Sequence, residues 1–338
     1  MSPIEVAHSL PTGAVVATVA AEGYDLGSAV RAWAISRGVT DHYAVEAGGR
    51  RYVLRLYPTH WRTRADVLFE LDFIRHAAAR GVPVAAPLPR RDGGWLTEVD
   101  APEGPRLAVL FVHAAGDEWV PHHELAAHAA AYGEAAARLH NACDEFASDQ
   151  PRFALDLVHL LDRPLGTFEP FLRDRPDDDR YLRALVALLR GRVEAAASDL
   201  RWQACHGDLH GGNTHRQPDG SLVFFDFDCC GMGYAAYEIA VFRWESGFRE
   251  PDKPDQRWQR FLEGYRAHRP IGEADLAARD CFVPIRHIWW MGLHAGSADY
   301  WGSRGWVNDR FFDDHIRRLV EWCEVHVPGA PTWSCERT

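Results

Sequence analysis

The stretch that decides the fold is His206-Gly207-Asp208-Leu209-His210-Gly211-Gly212-Asn213, which is followed by a short apolar run ending in Phe225-Asp226-Phe227-Asp228. An aspartate that can accept a hydroxyl proton, an asparagine five residues later and a further aspartate 18 residues after the first form a phosphoryl-transfer pattern. We predict that Asp208 is the catalytic base. Asn213 and Asp226 would supply the hard oxygen ligands that Mg²⁺ prefers.

A third acid, Asp228, lies two residues beyond Asp226. Its carboxylate would either add a ligand to the metal site or cap the turn that follows, and the residues alone do not choose between these roles. His206 and His210 raise a similar question, because imidazole nitrogens bind zinc. We favour the more ordinary role, in which both rings form hydrogen bonds that shape the loop.

The composition is that of a folded globular protein long enough for two modest domains: 338 residues, of which 47% are apolar and 25% charged. Residues 1–112 contain equal numbers of arginines and acids, so the formal net charge of −11 falls entirely in the remaining two-thirds. This excess of acid disfavours a nucleic-acid-binding surface and weakly favours cationic ligands. A solvated acidic surface explains it equally well.

Several features of the sequence predict a cytoplasmic protein with neither a membrane nor a nucleic acid as partner. No apolar run approaches the roughly 20 residues needed to cross a membrane. No Lys or Arg precedes Arg31, which is unlike a signal peptide. The seven cysteines, which include the adjacent pair Cys229 and Cys230, do not suggest a disulfide framework in a chain of this length.

Residues 1–112 are predicted to form a small antiparallel sheet with one main helix. Gly48-Gly49 suits a tight turn with positive φ inside a hairpin. Apolar residues at helical spacing predict a helix, and Gly81 and Pro83 mark its end. A possible glycine loop, residues 37–41, precedes the hairpin. The predicted elements are the hairpin over 42–57, the helix over 64–80, and strands over 95–99 and 107–112.

From residue 113 onward the pattern changes to long helices. Residues 113–117 are the natural connector, so we predict a first lobe at 1–112, a hinge at 113–117 and a second lobe at 118–338. A short apolar strand over 222–226 interrupts the helices and delivers Asp226 at its end. The predicted helices cover residues 124–140, 181–197, 234–244, 258–267, 277–295 and 311–325.

The motif pair at 206–213 and 225–227 resembles the aminoglycoside phosphotransferase and choline kinase group. In that group the catalytic loop follows the pattern His-Gly-Asp-Leu-His-x-Gly-Asn, and the metal-binding segment reads Ile-Asp-Trp or Ile-Asp-Phe. Residues 233–240 resemble the helix start that follows the metal-binding aspartate. The resemblance extends over nearly the whole chain. It implies an α+β, two-lobed protein-kinase-like fold, with a small antiparallel sheet lobe and a larger, mostly α-helical lobe.

The same resemblance implies a site for ATP and Mg²⁺ that uses residues of the first lobe. Residues 52–57 resemble the strand that carries the basic phosphate contact, which makes Arg55 that contact and Glu70 its acidic partner. The only lysine in the chain is Lys253, so arginine stands where protein kinases use lysine, and its planar fork binds phosphate oxygens differently. Gly38 is the one glycine of the loop that would cover the nucleotide, where protein kinases have three.

The resemblance also implies transfer of the γ-phosphoryl group of ATP to an alcohol. Acceptors in the group include aminoglycosides and other antibiotics, choline, homoserine, methylthioribose and, in a stress-response branch, protein serine or threonine. We expect a small hydroxylated molecule, because no basic groove or peptide-docking strand is evident. Aromatic and acidic residues interleaved over 289–322 would suit a cationic amine, but packed helices show the same pattern.

Three alternatives compete with this prediction. A protein kinase of the stress-response branch would use the same catalytic residues. The segment 207–211 also resembles a metallophosphoesterase block, although the later Gly-Asn-His-Glu segment of such enzymes is absent from the sequence. A non-catalytic nucleotide-binding protein is suggested by the missing lysine, but Asp208, Asn213 and Asp226 are all present.

Overall fold

The first part of the chain contains a five-stranded antiparallel sheet. The structure is a computed structural model, and it describes residues 6–27, 29–118, 125–248 and 255–333. The strands lie in the order β1-β2-β3-β5-β4. The consecutive strands β1, β2 and β3 therefore pair with each other, and β4 pairs with β5. The pairing of β5 with β3 joins these two groups into one sheet. The strands are β1 Arg31–Arg37, β2 Asp41–Ala47, β3 Arg50–Leu56, β4 Thr97–Val99 and β5 Arg106–Val112.

The turn between β2 and β3 is the predicted two-glycine turn. Gly48 and Gly49 have φ angles of 57° and 74°, a left-handed pair whose twist matches that of the flanking strands. The resulting register places His42 opposite Arg55. The hairpin prediction is thus confirmed, and it sets which side chains of the sheet can meet.

The sequence did not reveal helix α1, Gly13–Gly23, or strand β1. Trp33 and Ile35 of β1 are 45% and 54% exposed, so this edge strand lacks the alternation of buried and exposed residues that marks a half-buried strand. The glycine loop predicted at 37–41 is the short turn between β1 and β2.

Helix α2, Arg64–Ala79, confirms the predicted helix and begins with a capping box. The hydroxyl of Thr63 accepts a hydrogen bond from the backbone N–H of Asp66 at 3.1 Å, and the Asp66 carboxylate accepts one from the backbone N–H of Thr63 at 3.0 Å. Gly81, with φ of 79°, follows the end of the helix. The buried face of α2 includes Glu70, so the helix carries an acid into the interior.

The remainder of the described chain is mainly helical. In α8, Pro284 cannot donate the helical hydrogen bond to the carbonyl of Asp280. The indole N–H of Trp322 donates to that carbonyl instead, at 3.1 Å. The helices are α3 Leu125–Ala142, α4 Arg163–Leu172, α5 Pro176–Ala196, α6 Ala235–Gly247, α7 Gln256–Arg266, α8 Glu273–Ser297 and α9 Asp309–His326. Glu124, where we predicted the start of α3, and Lys253 lie outside the described residues.

Two small sheets position the loops that carry the sequence motifs. The catalytic loop connects strand β7 of one sheet to strand β8 of the other. The segment with Asp226 runs in the opposite sense, from β9 of the second sheet to β10 of the first. The first sheet pairs β7, Trp202–Cys205, with β10, Gly231–Tyr234; the second contains β6 Asp117–Glu118, β8 Thr214–Arg216 and β9 Leu222–Phe224.

Apolar side chains form a small core on the sheet, a larger core within the helical part, and another larger core that both parts share. One of the larger cores combines α2 with Phe224 and Phe227, so α2 is packed against both parts of the chain. A small antiparallel sheet beside a larger helical part agrees with the predicted α+β, two-lobed class. Strand β5 ends at Val112, while the lobe limits and the hinge at 113–117 stay predictions.

Two further observations concern the chain as a whole. Within the described ranges, no helix combines the length and the apolar character needed to cross a membrane. The six cysteines in these ranges are all buried and form no disulfide.

Candidate active site

The catalytic loop packs directly on the segment that carries Asp226. Gly207 has φ of 80°, and a Cβ atom added to it would lie 2.1 Å from the carbonyl oxygen of Cys229. Only glycine accommodates both this left-handed backbone and this close approach. The Gly of the motif therefore sets the distance between the two functional segments.

Glu238, in the first turn of α6, holds the start of the loop. Its carboxylate accepts hydrogen bonds from the backbone N–H groups of His206 and Gly207, at 2.5 and 2.9 Å. His140 of α3 lies 3.4 Å from the same carboxylate. These buried contacts satisfy donors that would otherwise be unpaired, so α6 positions the loop through a side chain.

His206 joins the catalytic loop to the segment that carries Asp226. Its Nδ1 accepts from the backbone N–H of Asp208 at 3.3 Å, and its Nε2 lies 3.1 Å from the carbonyl oxygen of Phe225. These contacts correspond to a neutral ring protonated on Nε2. Burial lowers the pKa of His206 below its ordinary value, which agrees with that state.

Asp208 lies at the centre of the loop and is held by two side chains. The amide nitrogen of Asn213 donates to its backbone oxygen at 3.0 Å and to its carboxylate at 3.1 Å. The guanidinium of Arg286 forms an ion pair with the other carboxylate oxygen. Burial acts to raise the pKa of Asp208, but the charge of Arg286 outweighs it and holds that pKa well below its usual range. Asp208 is therefore ionised and able to accept a proton.

Arg286, on α8, is a site residue that the sequence did not reveal. It is 2% exposed, and its guanidinium lies over the rings of Trp289 and Trp244, at 4.5 and 5.1 Å from their centroids. No motif marks this arginine, because 78 residues separate it from Asp208 and only the packing of α8 brings the two together.

His210 and Glu245 complete the surroundings of Asp208. Nε2 of His210 lies 3.4 Å from the Asp208 carboxylate, and Glu245 accepts a hydrogen bond from the backbone N–H of Gly211 at 2.7 Å. Burial acts to lower the pKa of His210, but Asp208 and Glu245 raise it to about 10. The loop thus holds a hydrogen-bond donor, Nε2 of His210, next to the ionised Asp208, while Nδ1 of His210 accepts from the backbone N–H of Gly212 at 3.1 Å.

The side-chain oxygen atoms of Asn213 and Asp226 are suitable ligands for a hard cation. Because the amide nitrogen of Asn213 is engaged by Asp208, its amide oxygen is left as an acceptor. Asp226 has φ of 61° and ψ of 56°, and its side chain is 36% exposed. The backbone N–H of Phe225 donates to the carbonyl oxygen of Asn213 at 3.1 Å, which keeps the two segments adjacent. These oxygens fit Mg²⁺ chemistry.

The predicted Arg55–Glu70 pair is present in the structure. Nη1 of Arg55 lies 2.5 Å from the Glu70 carboxylate, and Nη2 lies 3.1 Å from Asp226. The hydroxyl of Tyr57 donates to the second oxygen of Glu70 at 2.9 Å. Burial raises the pKa of Glu70 above its ordinary value, while Arg55 opposes that rise. Arg55 therefore links the sheet, α2 and the segment that carries Asp226.

A cleft of about 500 Å³ lies beside this pair and has a largely apolar lining. Gly38 is exposed in the turn between β1 and β2 and is not part of that lining, so its assignment to the nucleotide rests on the sequence alone. The residues that line the cleft include Ile35, Val53, Arg55, Phe111, Phe225 and Asp226.

Asp228 lies two residues beyond Asp226, and both of its carboxylate oxygens accept hydrogen bonds. The indole N–H of Trp61 donates to one at 2.6 Å, and Nε of Arg62 donates to the other at 2.9 Å. The Arg62 guanidinium also stacks over the Trp61 ring, 4.0 Å from its centroid. This geometry weighs against the predicted metal role of Asp228 and favours a structural one.

The zinc alternative for His206 and His210 receives no support from the geometry. The two rings are committed to backbone and carboxylate contacts. Across the described ranges, no three His, Cys, Asp or Glu side chains converge as a metal-binding group.

A small antiparallel lobe, a helical lobe and an aspartate-based loop between them define a phosphotransferase with a protein-kinase-like fold. Comparison with known proteins agrees with this class. A model of the phosphotransferase enzyme family matches residues 31–271. The chain therefore belongs to that family, and it is an enzyme of the kinase type whose acceptor is an alcohol group.

Individual relatives extend over almost the whole chain. A protein of uncharacterised function from Deinococcus radiodurans is 40% identical, over 94% of this chain and 92% of its own length. Homoserine kinase of Paraburkholderia phymatum is 28% identical over 90% of each chain. Among solved structures, a microcompartment-associated aminopropanol kinase superposes with a TM-score of 0.73 at 22% identity, over 92% of this chain and 95% of its own.

Proposed function

We propose that this protein is an ATP-dependent O-phosphotransferase that moves the γ-phosphoryl group of ATP to a hydroxyl group of a small molecule. The observation that supports this best is that Asn213 contacts both Asp208 and the segment that carries Asp226, and that Asp226 in turn contacts the Arg55–Glu70 pair. The likeness to homoserine kinase over most of the chain favours a small-molecule acceptor over a protein.

Asp208 acts as the base in the proposed reaction. As the acceptor oxygen forms its bond to the γ-phosphorus, its proton passes to the Asp208 carboxylate, and the bond between that phosphorus and the bridging oxygen breaks to release ADP. Arg286 supports this role because its charge keeps Asp208 ionised before the acceptor binds. Asn213 fixes the orientation of the carboxylate.

The nucleotide is assigned to the cleft beside Arg55. Its base would lie against the apolar lining, which includes Val53 and Phe111, and the Arg55 guanidinium would contact phosphate oxygens, as its planar fork allows. Glu70 and Tyr57 hold that guanidinium in place. Gly38 keeps its proposed role in the turn that would cover the phosphates.

Asn213 and Asp226 are the residues that would hold Mg²⁺. When bound, the ion would neutralise charge on the β- and γ-phosphates. We do not assign Asp228 to the metal, because Trp61 and Arg62 already occupy both of its oxygens. Its proposed role is to hold the metal-binding segment against the first lobe.

Incubation with ATP, Mg²⁺ and a panel of small alcohols tests the function, with transfer read as a mass increase of about 80 Da on the acceptor. Asp208→Asn is expected to lower kcat by about 10²- to 10⁴-fold while nucleotide affinity is retained. Asp219→Asn, in the exposed turn between β8 and β9, is the control. Release of phosphate from esters without transfer, or activity of Asp208→Asn within about tenfold of wild type, would contradict the proposal.

A further inference from the structure

Arg55 uses two of its three guanidinium nitrogens to bind neighbouring side chains. Nε donates to Nε2 of His42 at 3.3 Å, and Nη1 donates to Glu70 at 2.5 Å and to the hydroxyl of Tyr57 at 3.3 Å. The remaining nitrogen, Nη2, lies 3.1 Å from the Asp226 carboxylate. Nη2 is therefore the part of the guanidinium that can reach a phosphate held next to Asp226.

His42 meets Arg55 because of the register of the hairpin. It lies on β2 directly opposite Arg55 of β3, and both side chains line the cleft assigned to the nucleotide. The motifs at 206–213 and 225–227 do not include this histidine, so the sequence did not reveal it as a site residue.

The contacts of His42 define which of its ring nitrogens carries the hydrogen. An arginine Nε can only donate, so Nε2 of His42 must be unprotonated. Burial lowers the pKa of His42, and the charge of Arg55 adds to that effect, which favours the neutral ring. The hydrogen of the neutral ring is then on Nδ1, which lies 3.1 Å from the hydroxyl oxygen of Ser36 and donates to it.

The same ring connects Arg55 to the turn between β1 and β2. Ser36 lies just before this turn, and Thr40, at its other end, has its hydroxyl oxygen 3.3 Å from Nε2 of His42. Both ends of the turn that we propose to cover the phosphates therefore contact the residue that holds Arg55.

An arginine at this position needs such support more than a lysine does. A lysine ammonium is a compact charge with rotatable donors, whereas a guanidinium donates only in its own plane. Glu70 and Tyr57 hold one nitrogen, Nη1, and a second fixed nitrogen is needed to set the direction of the third. Nε, bound by His42, is that second nitrogen.

We propose that His42 is a positioning residue for the phosphate contact: it holds Nε of Arg55 so that Nη2 faces the phosphate that lies beside Asp226. This inference rests on the proposed phosphotransferase function. It assigns His42 to the phosphate chain of the nucleotide and not to its base.

Binding of ATP and of adenosine, which lacks the phosphates, tests this role. In His42→Leu the affinity for ATP is expected to fall about tenfold or more, because a hydrogen bond to a charged group is lost, while the affinity for adenosine should change little. In His42→Gln, whose amide oxygen can accept from Nε of Arg55, most of the affinity for ATP should be retained. Displacement of a fluorescent ATP analogue in the presence of Mg²⁺ measures these affinities.

His113→Leu is the matched control. The ring of His113 lines the same cleft, but it lies next to the ring of His215, with the centroids 6.1 Å apart, and it is not among the described groups that bind Arg55. Its loss should therefore alter the affinities for ATP and adenosine to the same extent.

A double-mutant cycle with Arg55→Lys tests whether His42 acts through Arg55. In the Arg55→Lys background, His42→Leu should cost much less affinity for ATP than it does in the wild type, because a lysine ammonium has no guanidinium plane to orient. Equal costs in the two backgrounds would overturn the inference.

The outcomes separate this inference from the proposed function. If His42→Leu weakens ATP and adenosine equally, leaves ATP binding unchanged, or costs no more than His42→Gln, the positioning role is overturned and the phosphotransferase stands. If the wild-type protein does not bind ATP, the proposed function is overturned together with the inference.

Discussion

Gly207 shows how one residue sets the distance between the catalytic loop and the segment that carries Asp226. Its φ of 80° and the 2.1 Å separation between an added Cβ and the Cys229 carbonyl oxygen are two independent reasons for glycine. The first is a backbone preference, and the second is a steric limit that depends on the neighbouring segment. A sequence motif records that glycine is present, while the structure explains why it is needed.

Gly207→Ala is expected to lower the free energy of unfolding by about 2–5 kcal/mol, the sum of a left-handed backbone cost and a steric one. Gly220→Ala is the matched control, since Gly220 has φ of 87° but no atom within 4 Å of an added Cβ. It should cost only about 1–2 kcal/mol. Urea unfolding of both variants measures the difference, and equal losses would show that the close approach to Cys229 is unimportant.

Helix α6 is the element that holds the catalytic loop. Glu238 lies in its first turn, where the positive end of the helix dipole favours an acid. The carboxylate accepts from two backbone N–H groups of the loop. The Glu238 carboxylate is fully buried. Its hydrogen bonds therefore fix the backbone just before Asp208 relative to helix α6.

Glu238→Gln is expected to lower the free energy of unfolding by about 1–3 kcal/mol, because the amide nitrogen of glutamine would face a backbone N–H that then has no acceptor. We also expect kcat to fall, since Asp208 follows the two residues that Glu238 holds. Glu194→Gln, at an exposed position of α5 paired with Arg190, should change stability by no more than about 0.5 kcal/mol. Similar values for both variants in urea unfolding would contradict the role of α6.

At the scale of the whole molecule, the two lobes meet at the segment that carries Asp226 and Asp228. Asp226 contacts Arg55 of the sheet at 3.1 Å, while Asp228 contacts Trp61 and Arg62 between β3 and α2. The rings of His60 and Tyr300 also stack, with their centroids 3.5 Å apart. Two aspartates two residues apart therefore have different partners, and we assign them different functions.

Asp226→Asn is expected to make nucleotide affinity independent of Mg²⁺, because an amide is a weaker ligand than a carboxylate for this ion. Asp228→Asn should keep the Mg²⁺ dependence and lower Tm instead, since it weakens the contacts of Arg62 and Trp61 across the lobes. Nucleotide titrations with and without Mg²⁺, together with thermal unfolding, measure both effects. Loss of the Mg²⁺ dependence in both variants would return Asp228 to the metal site.

Much of the fold was predictable because local signals agreed with it. The turn at Gly48-Gly49, the bounds of α2 and the long helices of the second lobe follow from positive φ, capping residues and apolar spacing. Strand β1 was missed because its exposed face carries Trp33 and Ile35, which hide the alternation. The proximity of Asp208, Asn213 and the segment that carries Asp226 was predictable from their spacing, and the contact between Arg55 and Glu70 from the family resemblance; their roles stay predictions.

The sequence by itself determined the chemistry that we propose for the loop at 206–213, because the proposed base and metal ligand, Asp208 and Asn213, lie a few residues apart on one segment of chain. Only the tertiary structure decided the surroundings of that loop. Arg286 lies 78 residues from Asp208 along the chain, and it belongs to no local pattern. It reaches Asp208 because helix α8 packs against α6, and helix packing depends on the whole chain.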